Sequence, residues 1–173
     1  MQRKILISIL LAGCWLIQAN VILAASLPKG VIVLDGSIAP ALKLKNMDGD
    51  DFDIANRRGH WLFVHFWATW CGPCRKEMPT IQAILSQLDA QKLEVVLINT
   101  AESEDEVFAF LAAVAPDLVP LMDLDGQVTE VWQPRGLPAT FLIDPQGRMR
   151  FLVLGGRPWD QAEYTEFLKG LYQ

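Results

Sequence analysis

The chain has 173 residues, of which 51% are hydrophobic and 20% charged, and a formal net charge of −5. That length suits one ordinary domain able to bury its own core, and the composition excludes a disordered or collagen-like chain. An acidic domain without a Lys/Arg patch also excludes nucleic acid as a partner class, because phosphates need clustered cations.

The chain opens Met1-Gln2-Arg3-Lys4 and is then apolar from Ile5 to Ala25. A short basic region followed by an apolar one is the pattern of an export signal. Three readings stay open. Cleavage after Ala25, where small residues cluster, would release the domain. Retention would leave a membrane anchor, since about 20 apolar residues span a bilayer. In the third, Leu11-Ala12-Gly13-Cys14 resembles a bacterial lipobox, with Cys14 lipidated. All three place the domain outside the cytoplasm.

Residues 26–40 hold Pro28, Gly30, Gly36 and Pro40 and read as a linker, leaving 41–173 as the domain. Alternation over Ala41–Lys45, a turn at Asp48-Gly49 and extension over Asp51–Ile54 predict a β-hairpin. The apolar run Trp61–Trp67 predicts a buried central strand. A helix is expected from about Cys71, with Met78, Ile81, Leu85 and Leu88 on one face. Leu93–Ile98 reads as a second buried strand. Ser103 and Glu106 form a capping box ahead of a helical stripe of Val107, Phe108, Leu111 and Val114. A short strand over Val119–Met122, a short helix over Gln127–Trp132 and a strand over Ala139–Ile143 follow. Asp144-Pro145-Gln146-Gly147 has the residues of a tight turn. It leads to a strand over Met149–Leu154 and a closing helix over Trp159–Tyr172. This order predicts an α/β domain with a mixed central sheet and helices on both faces.

Chemistry concentrates at Trp70-Cys71-Gly72-Pro73-Cys74-Arg75, directly after the strand and opening the helix. A two-residue spacer at a helix start lets two sulfurs reach disulfide geometry. The helix N-terminus favours a thiolate, which is the attacking species in disulfide exchange. Cys71, ahead of the first turn, is the expected nucleophile, and Cys74, one turn inside, the resolving cysteine. Pro73 fits the first turn, where no internal donor is lost. Zinc would need more ligands than this pair, and the only histidines, His60 and His65, lie upstream. An inert bridge closing so small a loop would constrain little chain entropy.

With this motif in a βαβ context, the chain resembles the thioredoxin superfamily, and within it the TlpA/ResA-like branch of membrane-tethered bacterial thiol–disulfide reductases. The resemblance rests on His65 to Pro79, on Gly136-Leu137-Pro138-Ala139-Thr140-Phe141-Leu142-Ile143-Asp144, and on the leading hairpin from Leu42 to Gly59. It implies a thioredoxin fold with an added N-terminal β-hairpin, and a redox cycle at Cys71 and Cys74. It also implies a cis-proline at Pro138 beside the disulfide, a helix-kinking Pro79 and a thiol-tuning Glu77, against the alternative of Glu77 as a solvated surface residue. His65 departs from the family's usual Asp or Asn. It is either a proton acceptor for Cys74 or a hydrogen-bonded core histidine. Trp67 and Trp70 could frame a docking surface, Trp67 alternatively lying in the core.

The resemblance further implies oxidised exported proteins as substrates, apocytochromes c among them, and a membrane thiol reductase as electron donor. No cofactor is needed for thiol exchange. The Gly-Pro dipeptide leans toward a reductase, an oxidase or isomerase of the same fold being the alternative. A copper carrier would space its cysteines more widely and add a downstream histidine. A peroxidase would use a lone peroxidatic cysteine.

Overall fold

The computed structural model describes residues 27–173. The expected export segment over 1–25, with Cys14, lies outside the described residues.

Eight strands make one mixed sheet in the order β1-β8-β7-β4-β5-β6-β2-β3. They are β1 (Val31–Val33), β2 (Lys43–Asn46), β3 (Asp51–Asp53), β4 (Trp61–Trp67), β5 (Leu93–Thr100), β6 (Leu121–Asp123), β7 (Ala139–Ile143) and β8 (Met149–Leu154). The helices are α1 (Gly72–Leu85), α2 (Glu104–Val114), α3 (Gln127–Trp132) and α4 (Ala162–Gly170). Parallel pairing of β4 with β5 and β5 with β6 meets antiparallel pairing of β4 with β7 and β7 with β8. The β2–β3 hairpin extends the far edge by pairing with β6.

The central strand β4 is apolar on both faces because both are covered. Phe63 and Trp67 face a core built with α1, α2 and α4. Leu62, Val64 and Phe66 face a second core with the hairpin and Trp132 of α3. The mixed sheet with helices on both faces, the hairpin and the thioredoxin fold agree with the sequence expectation.

The structure differs from that expectation in particulars. The stretch 26–40 is not a plain linker. Val31–Val33 pairs with β8 in register Val31↔Val153, and Ile38 bridges Arg148. Its turn formers end a short edge strand rather than a flexible tether. Val119 lies outside β6 and is exposed. Pro120 has no N–H to add to a ladder, so pairing starts at Leu121. Phe108 is exposed while Phe110 is buried, since Val107 and Leu111 set the helical stripe and Phe108 lies about 100° off it. On α1 the buried apolar stripe beyond the cysteine is Met78, Ile81 and Ile84, and Leu85 is not part of it. Helix α4 starts at Ala162 because Trp159 belongs to the core: its ring is edge-on to Phe63 at 4.6 Å, and its backbone N–H donates to Thr80 Oγ1 at 3.2 Å.

The capping box of α2 is formed, with Ser103 and Glu106 bonded reciprocally. The Ser103 hydroxyl, then its backbone N–H, holds the Glu106 carboxyl below its ordinary value. Ser103→Ala should lower stability by about 1 kcal/mol through the lost cap. A depressed carboxyl stabilises the fold above its unfolded value and loses that contribution as pH falls through the folded one. The gap between wild type and Ser103→Ala in urea melts should therefore narrow from pH 7 to the acid side of pH 4.5, the carboxyl's ordinary value.

Candidate active site

Strand β4 ends at Trp67, and the turn that follows is closed by the Cys71 N–H donating to Ala68 O at 3.3 Å. Cys71 is the N-cap of α1, and its Sγ accepts from the Cys74 N–H at 3.3 Å. The two cysteines form a disulfide, with S–S 2.08 Å and Cα atoms 5.3 Å apart. Cys71 retains 5% exposure and Cys74 none, so of the pair Cys71 lies nearer the surface. Trp70 beside it is 69% exposed, a bare aromatic surface next to the disulfide. Trp67 is a core residue, packed against Phe110 with ring centroids 5.7 Å apart. Pro73 lies in the first turn of α1, and the helix runs on through Pro79 to Leu85.

The Leu137–Pro138 bond is cis. Ala139, next along, is paired with Phe66, which puts Pro138 at the end of the sheet where the Cys71 turn emerges. Pro138 O accepts from the Gly155 N–H at 2.9 Å. Gly156 then passes so close to the redox turn that a Cβ on it would stand 3.0 Å from Pro73 O. The disulfide turn, the cis-proline loop and the segment after β8 thus share one end of the sheet.

Beneath them lies a buried polar group. Glu77, one turn along α1 from Cys74, is only 2% exposed. A helix with period 3.6 puts position 77 beside Cys74 and Met78 on the inner face. Its Oε2 accepts from the Arg157 backbone N–H at 2.9 Å and from Trp159 Nε1 at 3.1 Å. Its Oε1 lies 3.2 Å from His65 Nε2, off the alignment of a hydrogen bond. His65 Nδ1 is 2.8 Å from Thr140 Oγ1. Glu77 is therefore no solvated surface residue. Both nitrogens of His65 face partners other than Cys74, as in a hydrogen-bonded core histidine.

The sequence expectations thus meet in one place: Cys71, Cys74, Pro73, Trp70, Glu77, His65 and Pro138 all lie at or under this end of the sheet. Sequence reasoning missed Thr140, Trp159 and Glu102. The Pro-Trp pair at 158–159, followed by acidic residues, looks like a helix start, which hid Trp159. Among the described residues no cluster of three His, Cys, Asp or Glu side chains could hold a metal ion.

A cysteine pair opening a helix after a central strand, on this fold, defines a thioredoxin-fold thiol–disulfide oxidoreductase. Over residues 36–152 the chain matches the AhpC/TSA family, and it belongs to that family. It is 32% identical over 123 residues to the thiol-disulfide oxidoreductase ResA of Bacillus subtilis (strain 168), covering 71% of this chain and 69% of that one. It is 30% identical over 155 residues to ResA of Geobacillus thermodenitrificans (strain NG80-2), covering 90% and 86%. Among solved structures it resembles a thiol:disulfide interchange protein DsbE from Chlorobium tepidum, at TM-score 0.72 and 27% identity over 82% of this chain and 100% of that one.

Removing Glu77 would leave the Trp159 indole, the Arg157 N–H and His65 facing a cavity. Glu77→Ala should cost about 3 kcal/mol or more in urea denaturation, at about 1–3 kcal/mol for each buried donor left unpaired. Glu77→Gln, which keeps an acceptor for both N–H groups, should cost less than half of that.

Proposed function

We propose that the protein is an exported reductase of disulfides in extracytoplasmic proteins, working through a Cys71–Cys74 dithiol/disulfide cycle. The observation that carries this reading is the disulfide at the N-terminus of α1, with one sulfur nearer the surface and the other enclosed, beside the cis-proline loop. In the reduced protein the Cys71 thiolate attacks one sulfur of a substrate disulfide. A Cys71–substrate S–S bond forms and the substrate bond breaks, releasing one substrate thiolate. Cys74, deprotonated, then attacks Cys71 Sγ, re-forms the internal disulfide and releases the second substrate thiolate. Two electrons pass from protein to substrate, and each released thiolate takes up a proton.

Trp70 and the Pro138 loop flank the outer sulfur and supply the docking surface. Glu77 and His65 act as positioning residues that fix α1 against β4 and β7. Residues 1–25 are the export signal or membrane anchor, with lipidation at Cys14 as the remaining form of attachment. A membrane thiol reductase would return the electrons, and apocytochromes c are one substrate class that needs such reduction. The paired cysteines favour exchange over the one-cysteine chemistry of a peroxidase.

The reduction potential of the couple, measured by equilibration with glutathione or dithiothreitol, tests the direction. A value near about −270 mV, that of thioredoxin, is expected. A value near about −120 mV, that of a strong oxidant, would replace the reductase with an oxidase. Cys71→Ser should reduce insulin disulfides no faster than buffer, whereas Cys74→Ser should accumulate a mixed disulfide on Cys71 visible by mass spectrometry. Turnover by Cys71→Ser would sink the mechanism.

A further inference from the structure

A second enclosed carboxylate meets the redox turn outside the network of Glu77. Glu102, in the turn between β5 and α2, is 9% exposed. Its Oε2 accepts from the Thr69 backbone N–H at 2.7 Å and from Asn99 Nδ2 at 2.7 Å, and its Oε1 accepts from the Thr69 hydroxyl. All of these partners donate to it, so the side chain is held by acceptor contacts alone. Asn99 is buried and gives its amide N–H to Glu102 while its own Oδ1 goes without a partner. The opposite orientation would set a carbonyl against the carboxylate. Ala101, just before, has φ of 56°, a left-handed conformation uncommon for a residue with a Cβ. The chain takes up that strain at the point where it turns Glu102 toward β4.

The residue held in this way is Thr69, two positions before Cys71. Its carbonyl is taken as well, by Arg75 Nη1 at 3.1 Å, and the Arg75 guanidinium lies 4.8 Å from the centre of the Phe110 ring. All three polar groups of Thr69 are therefore fixed, two of them by one carboxylate.

We infer that Glu102 is a positioning residue for the nucleophile: it clamps the Cys71 turn through Thr69, and its negative charge behind that turn opposes the Cys71 thiolate and makes the couple more reducing. The inference rests on the exchange function proposed above. A like charge disfavours an anion, the more so where little water screens it. Whatever destabilises the thiolate destabilises the reduced form, and a less stable reduced form is a better electron donor. Opposing Glu102 are the helix N-terminus and the cations Arg75 and Lys76 of α1 and Arg157, which lies beside Pro73. Acting with it are Glu104, Asp105 and Glu106 in the first turn of α2 and the buried Asp123 of β6, whose carbonyl accepts from the Ala101 N–H. Glu77 and His65 lie in the core beneath.

Glu102→Gln keeps the shape and an acceptor oxygen but removes the charge. Glu102→Asp keeps the charge but shortens the reach to Thr69. The two are compared by the pH titration of Cys71 thiolate absorbance and by the exchange equilibrium with glutathione. For Glu102→Gln the thiolate midpoint should fall by about one pH unit, and the equilibrium should move about tenfold toward the dithiol, equivalent to about 30 mV. For Glu102→Asp both should stay within twofold of wild type while kcat/KM for insulin reduction falls about tenfold, as the turn loosens. If Glu102→Gln leaves titration and equilibrium unchanged, or Glu102→Asp shifts them as far as Gln was expected to, the charge has no role and the inference is overturned. The glutathione equilibrium needs no protein substrate. A wild-type chain that failed to reduce any protein disulfide would refute the proposed function without deciding the role of Glu102.

Discussion

A carboxylate withdrawn from water must be met by donors or it unfolds what surrounds it. Glu77 meets this requirement with groups from separate parts of the chain. The Arg157 N–H and the Trp159 indole come from the segment after β8, and His65 comes from the central strand. His65 in turn reaches Thr140, two residues past the cis-proline. The redox helix, the sheet beneath it and the cis-proline loop are therefore fixed relative to one another by a single desolvation constraint. Trp159 carries it outward, its ring packing on Phe63 at 4.6 Å and on Tyr164 of α4 at 5.5 Å. Apolar packing alone would let α1 slide on the sheet by small steps at small cost. A buried carboxylate with directional partners does not allow that.

On the inference above, Glu102 is a second such carboxylate, one that opposes the Cys71 thiolate. A helix N-terminus stabilises an anion by about 0.3–1 kcal/mol near a surface and up to about 2 where partly buried. One pKa unit corresponds to about 1.4 kcal/mol. A single poorly screened carboxylate behind the Cys71 turn can thus cancel most of what the helix gives. The couple's potential is then set by a balance between the helix end with its neighbouring cations and the acidic groups behind it. The Gly-Pro dipeptide between the cysteines is only one contributor to that balance. This is why the spacer alone could only lean toward a reductase.

Elements with a clean local signal were legible in the sequence. The run Trp61–Trp67 became β4, and Ser103 with Glu106 became a capping box. The redox motif landed on the start of α1. The cis bond at Pro138 came only from the family resemblance, with no local signal of its own. What failed depended on partners far along the chain. Val31–Val33 is an edge strand because β8 offers it a ladder, and nothing in three residues announces that. Trp159 left the closing helix because Glu77 and Phe63 accept its ring, a tertiary override of a local pattern. Glu77 itself was half legible. The family resemblance marked it as a thiol-tuning residue, while its residue type argued for the surface, and the structure buries it beside Met78. Glu102 gave no signal, because its role arises from hydrogen bonds between two loops brought together by the parallel pairing of β4 and β5.

The order of the chemistry follows from where the helix begins. Cys71 is the N-cap, so its sulfur already sits where the Cys74 N–H points, 3.3 Å away. A thiolate at Cys71 inherits that donor without rearrangement. Cys74 lies inside the first turn and is wholly enclosed. A substrate sulfur approaching it would have to pass Cys71 and open the core formed by Phe63, Trp67 and Met78. In the cycle proposed above, attack from outside is therefore assigned to Cys71, and Cys74 is left to resolve the mixed disulfide. The unequal exposure of two residues three positions apart is a consequence of placing the pair across a helix start. The same placement supplies the donor that readies one sulfur and the burial that reserves the other.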